Sequence, residues 1–362
     1  MLFPYRYVPH KFEKMQEFID YIFYEVWCKA PENSGFSLDL FNGNTDLREI
    51  MTSFYYDHTK SGDLFFKNVE LIHGYFAVLS FSEIETFKRW YQANNDIEAA
   101  CLNTSPDDTI RYSEIPEDYQ HITDKLGVFY KALYNQDFLG LAIIKEKVGV
   151  IGEHYKSFIE ENSSGKCPFC GIGDIKGNQH TKREAYDHYL PKGLYPFNSI
   201  NLRNLTPACH ECNSTYKLAK DPLKNSAGSR KAFYPYTQGN YRIEISMHFS
   251  ITDIEHLDSS NIHLQYGPSE LAEEIETWKD LFGIEERYKA KCCSESDGKA
   301  WLVQVLEEWA EGGQTPEEYL RILSRYTKKR PFVDCGFLKN AFLKACDEIG
   351  VFKERELSPS ST

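Results

Sequence analysis

Two short cysteine pairs, Cys167-Pro168-Phe169-Cys170 and Cys209-His210-Glu211-Cys212, lie 38 residues apart in the middle of the chain. A C-x-x-C pair makes a tight knuckle that presents two thiolates, and two knuckles complete a tetrahedral Zn²⁺ site. With Cys167, Cys170, Cys209 and Cys212 filling all four positions, none is left for water, so the zinc expected here is structural. A thioredoxin-like redox role fits less well, because that motif occurs singly. The zinc would draw both ends of the intervening segment together and hold it in a small pinned unit.

The zinc reading needs reduced thiols. No apolar run approaches the ~18–20 residues of a membrane span. The N-terminus, MLFPYRYVPHKFEKM, lacks the basic start, apolar stretch and small-residue cleavage site of a signal peptide. A cytoplasmic protein is therefore expected, and its ten cysteines are not a disulfide framework. Cys28, Cys101, Cys292, Cys293, Cys335 and Cys346 have no metal-ligand spacing and read as buried small hydrophobes or surface thiols. At 362 residues and 41% hydrophobic, the chain can bury a core and divide into more than one domain. The 24 Tyr and 24 Phe are assigned to packing in that core.

The expected class is α+β, with mainly helical N- and C-terminal regions around a small zinc-stabilised module. Residues 1–162 form the first region. Within it, 11–29 carry apolar groups at helical spacing, SFSEIETFKRWYQANN reads as a helix capped by Ser80 or Ser82, 104–120 are polar and turn-rich, and 121–162 are helical again. The ENSSGK stretch breaks the chain, and the module covers 163–236. Residues 237–353 begin with two strand-like segments, YRIEISMHFSIT and IHLQYG, and turn helical from Ser269. That part includes a helix opened by Thr315-Pro316-Glu317-Glu318 and a last helix over 334–352. The tail, 354–362, reads as disordered.

Net charge is −13 overall but unevenly spread. Residues 166–231 hold 11 Lys and Arg against 5 Asp and Glu, a net of +6. Residues 1–165 hold 15 against 26, and 232–362 hold 15 against 23. A basic island in an acidic protein can still attract a polyanion, because the local field does the steering.

Between and beside the cysteine pairs stand residues of a different chemistry. Asp187 and His188 lie in REAYDHYLPK, which reads as a short strand ending at Pro191. Adjacent side chains on a strand face opposite ways, so the pair can serve a metal on one side and a water on the other. Asn213 follows Cys212 and opens a plausible helix, NSTYKLAK. A carboxylate and an amide oxygen are hard ligands suited to Mg²⁺ or Mn²⁺, in a site distinct from the four-thiolate zinc.

At these residues the segment resembles the HNH, or ββα-metal, endonucleases. That family carries an Asp-His, then an Asn-Leu in the loop, then a His or Asn nine residues after that Asn, just past a C-x-x-C. Here DHYLPK is followed by NLTP and CHECN, and Asn204 and Asn213 stand nine residues apart. The resemblance covers about 65 residues. It implies that His188 is the general base, that Asp187 and Asn213 hold the catalytic divalent ion, that Asn204 orients the loop and His188, and that the four cysteines hold structural zinc. Two departures are visible: Asn replaces the common final His, as in some members, and Lys217 stands four residues after Asn213 where many members have a Lys at three.

The chemistry is coherent on its own terms. A neutral imidazole with a pKa near ~6.5 can take a proton from water at physiological pH. A metal ion can stabilise charge on the phosphorane and the leaving oxygen. Lys176, Lys182, Arg183, Lys192, Arg203, Lys217, Lys220 and Lys224 are candidates to neutralise phosphates, contacts that position a backbone without reading sequence. The expectation is a metal-dependent DNA endonuclease. RNA as substrate, or an inactive zinc-containing module that binds nucleic acid or protein, are the competing readings. By analogy alone, the acidic flanks suggest a protein partner such as an ATPase or sensor subunit, in bacterial anti-phage defence or restriction.

Overall fold

The computed structural model describes residues 1–105, 107–239 and 241–353. The tail expected to be disordered lies outside the described residues. Among the described residues the protein is mostly helical, with three small antiparallel sheets.

The N-terminal region opens with a helical stretch whose apolar positions fall on one side. Lys11–Glu13 form a 3₁₀ turn, Lys14–Tyr21 form α1, and Ile22–Trp27 continue in wider turns closed by Cys28 N–H on the Phe23 carbonyl. Phe12, Met15, Phe18, Ile19, Ile22, Phe23 and Val26 are all buried. Helices α2 (Thr45–Asp57), α3 (Lys60–Phe76), α4 (Phe81–Asn95), α5 (Ile97–Leu102), α6 (Gln120–Leu133), α7 (Gln136–Leu139), α8 (Ala142–Val148) and α9 (Ile151–Glu161) follow and share one apolar core with it. Of the two serines expected to cap α4, Ser80 does so: its side chain accepts from Glu83 N–H while the Glu83 carboxylate accepts from Ser80 N–H.

The central segment holds β1 (Tyr186–His188) paired antiparallel with β2 (Leu205–Pro207), followed by a helical segment over Glu211–Lys217. In register, Asp187 faces Thr206 and His188 faces Leu205. The loop-like stretch beyond contains a two-residue hairpin, β3 (Lys224–Asn225) and β4 (Gly228–Ser229). The strand expected from Tyr241 begins at Glu244: β5 (Glu244–Phe249) pairs antiparallel with β6 (Ile262–Gly267). Helices α10 (Ala272–Phe282), α11 (Ile284–Cys293), α12 (Ala300–Gly312), α13 (Pro316–Lys329) and α14 (Gly336–Glu348) complete the chain, with Thr315 capping α13 as its sequence suggests. The last helix starts two residues late because Asp334 and Cys335 adopt left-handed backbone (φ 47° and 51°).

One contiguous apolar core runs from Met1 to Phe352, across the expected boundaries at 162/163 and 236/237. Polar contacts cross them too. Asn94 of α4 donates to the Pro196 carbonyl (3.1 Å), and Asn198 returns a bond to the Asn94 carbonyl (3.0 Å). Trp278 of α10 donates from its indole to the Phe169 carbonyl (2.6 Å) and Tyr288 of α11 donates to the Cys170 carbonyl (2.8 Å). The metal-knuckle segment is thus gripped from both sides. Among the described residues no helix is long and apolar enough to cross a membrane.

Candidate metal and hydrolytic centre

The four cysteines of the two knuckles meet. Cys167, Cys170, Cys209 and Cys212 are all buried, and their Sγ atoms lie within 4.8 Å of one another. A ZnS₄ tetrahedron with bonds of about 2.3 Å has S···S edges of roughly 3.8 Å. The Cys170–Cys209 Sγ separation is 3.8 Å, a match for that edge and far beyond a disulfide. The surroundings suit thiolate sulfur. Gly173 N–H points at Cys170 Sγ (3.3 Å), and the Arg287 guanidinium reaches Cys212 Sγ (3.3 Å) while lying over the Tyr216 ring. A Cβ at Gly173 would sit 2.7 Å from Cys209 Sγ, so the cradle is cut to the sulfur. These residues fit a structural zinc ion. The six other cysteines stand apart from this cluster; five are buried and Cys293 is half-buried.

The β1–β2 hairpin carries the second group of residues. His188 is half-buried, with Nε2 2.9 Å from the Ser199 carbonyl oxygen. A carbonyl only accepts, so Nε2 carries the proton and Nδ1 keeps its lone pair. Burial, with the nearby charges of Lys192 and Lys217, pushes the imidazole pKa down to about 3. His188 is therefore neutral across the physiological range. The Tyr134 ring packs edge-on against it at 4.6 Å. Ser199 is itself fixed, its hydroxyl donating to the Tyr130 carbonyl of α6 (2.6 Å).

Asn204 is fully buried and braces the turn after β1. Its Oδ1 accepts from Leu190 N–H (2.7 Å) and its Nδ2 donates to the Leu190 carbonyl (3.0 Å). Asp187 is buried on the other face of the strand, and burial pushes its carboxyl pKa up against the pull of Lys217. Lys217 does not reach the surface. It is fully buried, its Nζ lies 3.0 Å from both Asp187 oxygens, and it donates to the His188 carbonyl (3.0 Å). The Asp187 Oδ2 has no hydrogen-bond partner of good geometry despite that proximity. Asn213 is half-buried and precedes Lys217 by four positions on the Glu211–Lys217 segment, a spacing that puts both on one helical face. Its donor set with Asp187 is chemically right for a hard divalent ion, but that ion would share the carboxylate with an ammonium already on it.

The other basic candidates divide in two. Lys176 pairs with Glu184 (3.0 Å), Lys220 with Asp280 (3.6 Å) and Lys224 with Glu114 (2.7 Å). Among the described residues, Lys182, Arg183, Lys192 and Arg203 have no carboxylate within 4.0 Å. Arg203 instead lies over the Tyr7 ring and Lys192 over the Tyr134 ring.

Sequence reading missed Ser199, Tyr134 and Arg287. Each acts through contacts between segments distant in the chain, and none belongs to a spaced motif.

Comparison with known proteins gives two local likenesses. The chain is 35% identical over 80 residues to Septu protein PtuB of Bacillus thuringiensis, covering 21% of this chain and 30% of that protein. It is 43% identical over 53 residues to protein ea31 of Escherichia phage lambda, covering 14% of this chain and 15% of that protein. The likeness thus spans less than a third of either relative. No family model matches the chain, and no solved structure matches it.

Proposed function

We propose that this chain is a divalent-metal-dependent endonuclease of the HNH type that hydrolyses DNA phosphodiester bonds, acting in bacterial defence against phage or in restriction. The observation that carries the reading is the state of His188. Its Nε2–H is tied to Ser199, which leaves the Nδ1 lone pair free, and it sits one residue from a buried carboxylate on a hairpin anchored beside a four-thiolate cluster. In this account His188 takes the proton of the attacking water. Asn204 holds the strand exit so that the imidazole keeps its angle, and the basic residues without acid partners position the phosphate backbone. A Mg²⁺ or Mn²⁺ ion held by Asp187 and Asn213 would supply charge stabilisation for the scissile phosphate. The likenesses to a bacterial Septu protein and to a phage lambda protein support a setting where phage and host meet. An ATPase or sensor subunit is the partner proposed for the acidic flanks.

The Lys217–Asp187 pair favours a second reading, a zinc-containing nucleic-acid-binding module that does not hydrolyse. The two are separated by incubating purified protein with DNA and RNA in Mg²⁺, Mn²⁺ and EDTA. The nuclease reading expects metal-dependent cuts in DNA; binding without cleavage in every metal supports the module instead.

A further inference from the structure

A groove of about 640 Å³ opens next to the His188 centre, on the N-terminal helical region. Lys131, Gly127 and Thr123 of α6 line one side, and Lys192 and Gly193 of the loop after β1 line the other. Lys192 joins the groove to His188. Its charge bears on the imidazole, and its ammonium lies 5.1 Å from the centroid of the Tyr134 ring that packs against His188. Helix α6 supplies both neighbours: Tyr130 fixes Ser199 beneath the imidazole, and Lys131, the next residue, faces the groove.

Three observations say what the groove takes. Lys131 and Lys192 are like charges: burial lowers the Lys192 pKa, and the nearby Lys131 charge lowers it further. Among the described residues neither has a carboxylate within 4.0 Å. Asp124, on the rim, is engaged by the Gln120 amide (2.7 Å) instead. Two unpaired cations held toward one groove repel each other until an anion arrives. The two sides are open as well. Gly127 lies in the interior of α6, where Gly costs roughly 1 kcal/mol relative to Ala. Packing does not demand it: a Cβ there would meet only the Tyr112 ring, at 3.8 Å, and a Cβ at Gly193 would meet nothing within 4 Å. What a bare backbone at both positions permits is close approach of an extended ligand.

We propose that this groove is a subsite for the sugar–phosphate backbone of the DNA strand leaving the His188 centre, with Lys131 and Lys192 as its phosphate contacts. The proposal rests on the nuclease reading and gives the N-terminal region a part in substrate binding. The contacts are to phosphate, so the subsite adds affinity and direction rather than sequence preference.

The test is fluorescence anisotropy of a labelled DNA duplex across a salt series, on the full chain carrying His188→Ala to prevent cleavage. Adding Lys131→Ala, at an exposed position, should weaken binding and reduce the slope of log K against log salt by about 1. Adding Gly127→Leu should also weaken binding while leaving the melting temperature equal or higher, because it fills the groove and improves the helix. Lys145→Ala, on exposed α8 surface, is the control and should leave the slope unchanged. If the parent binds DNA and neither groove variant alters it, the subsite is wrong and the nuclease reading stands. If the parent fails to bind DNA at any salt, the nuclease reading falls and the subsite falls with it.

Discussion

Replacing Lys217 by methionine should expose how much the centre depends on its internal cation. The Lys217 side chain is fully buried and Asp187 nearly so, and the ammonium lies 3.0 Å from both carboxylate oxygens with a further bond to the His188 carbonyl. Methionine keeps most of the apolar stem but strands a carboxylate in a dry site. Removing one partner of such a pair costs about 3–5 kcal/mol. For a chain this long, each kcal/mol moves the melting temperature by roughly 2 °C, so the drop should be on the order of 5–10 °C. The sign with pH follows from Asp187. Burial alone raises its folded pKa above the unfolded value, so the folded variant prefers the protonated carboxyl. Its stability is retained below the unfolded carboxyl pKa and lost as pH rises through the folded one. Urea unfolding at pH 5 and pH 8 should therefore show the larger loss at pH 8. The double variant Asp187→Asn with Lys217→Met should recover much of the loss. A Lys217→Met cost under about 1 kcal/mol, or a double variant no more stable than the single, would refute the reasoning.

The zinc cradle and the buried histidines give two further tests. Gly173→Ala places a Cβ 2.7 Å from Cys209 Sγ, so zinc should be released to a chelating dye faster than from the parent; equal release and equal stoichiometry would count against the cradle. His154 is buried, donating from Nε2 to the Val8 carbonyl and accepting at Nδ1 from the Tyr186 hydroxyl, and burial lowers its pKa to about 4. Its neutral form is the folded one, so this contribution is complete above the ordinary histidine pKa and is lost as pH falls from about 6.5 to about 4, by at most ~3 kcal/mol. His154→Gln should flatten that part of the urea-derived stability profile; an unchanged profile would show that another group sets it.

The four-cysteine cluster was legible because each C-x-x-C pair is a local knuckle that presents two thiols, and the two knuckles meet in the fold. The Ser80 and Thr315 caps were legible for a related reason, since a cap is written in four consecutive residues. The short strand at Asp187-His188 was legible from its sequence, but its pairing with Leu205–Pro207 was not, because the Asn204-Leu205 stretch read as loop. Lys217 was not legible. Four residues past Asn213 it reads as one more surface lysine, and only the approach of the helical segment to β1 buries it on Asp187. The same holds for Ser199 and Tyr134, which reach His188 because α6 from the N-terminal region packs under the hairpin. The split of basic residues into acid-paired and unpaired sets depends on Glu114, Glu184 and Asp280, two of which come from outside the basic island.

The central claim is that His188 is the base for phosphodiester hydrolysis, and plasmid cleavage by the wild type and by His188→Ala tests it most directly. Both should retain zinc and the same melting profile, and both should be assayed in Mg²⁺ and Mn²⁺. The account predicts metal-dependent nicking by the wild type and a rate lower by a factor of about 10²–10⁴ in His188→Ala. Equal nicking by the two proteins would contradict it.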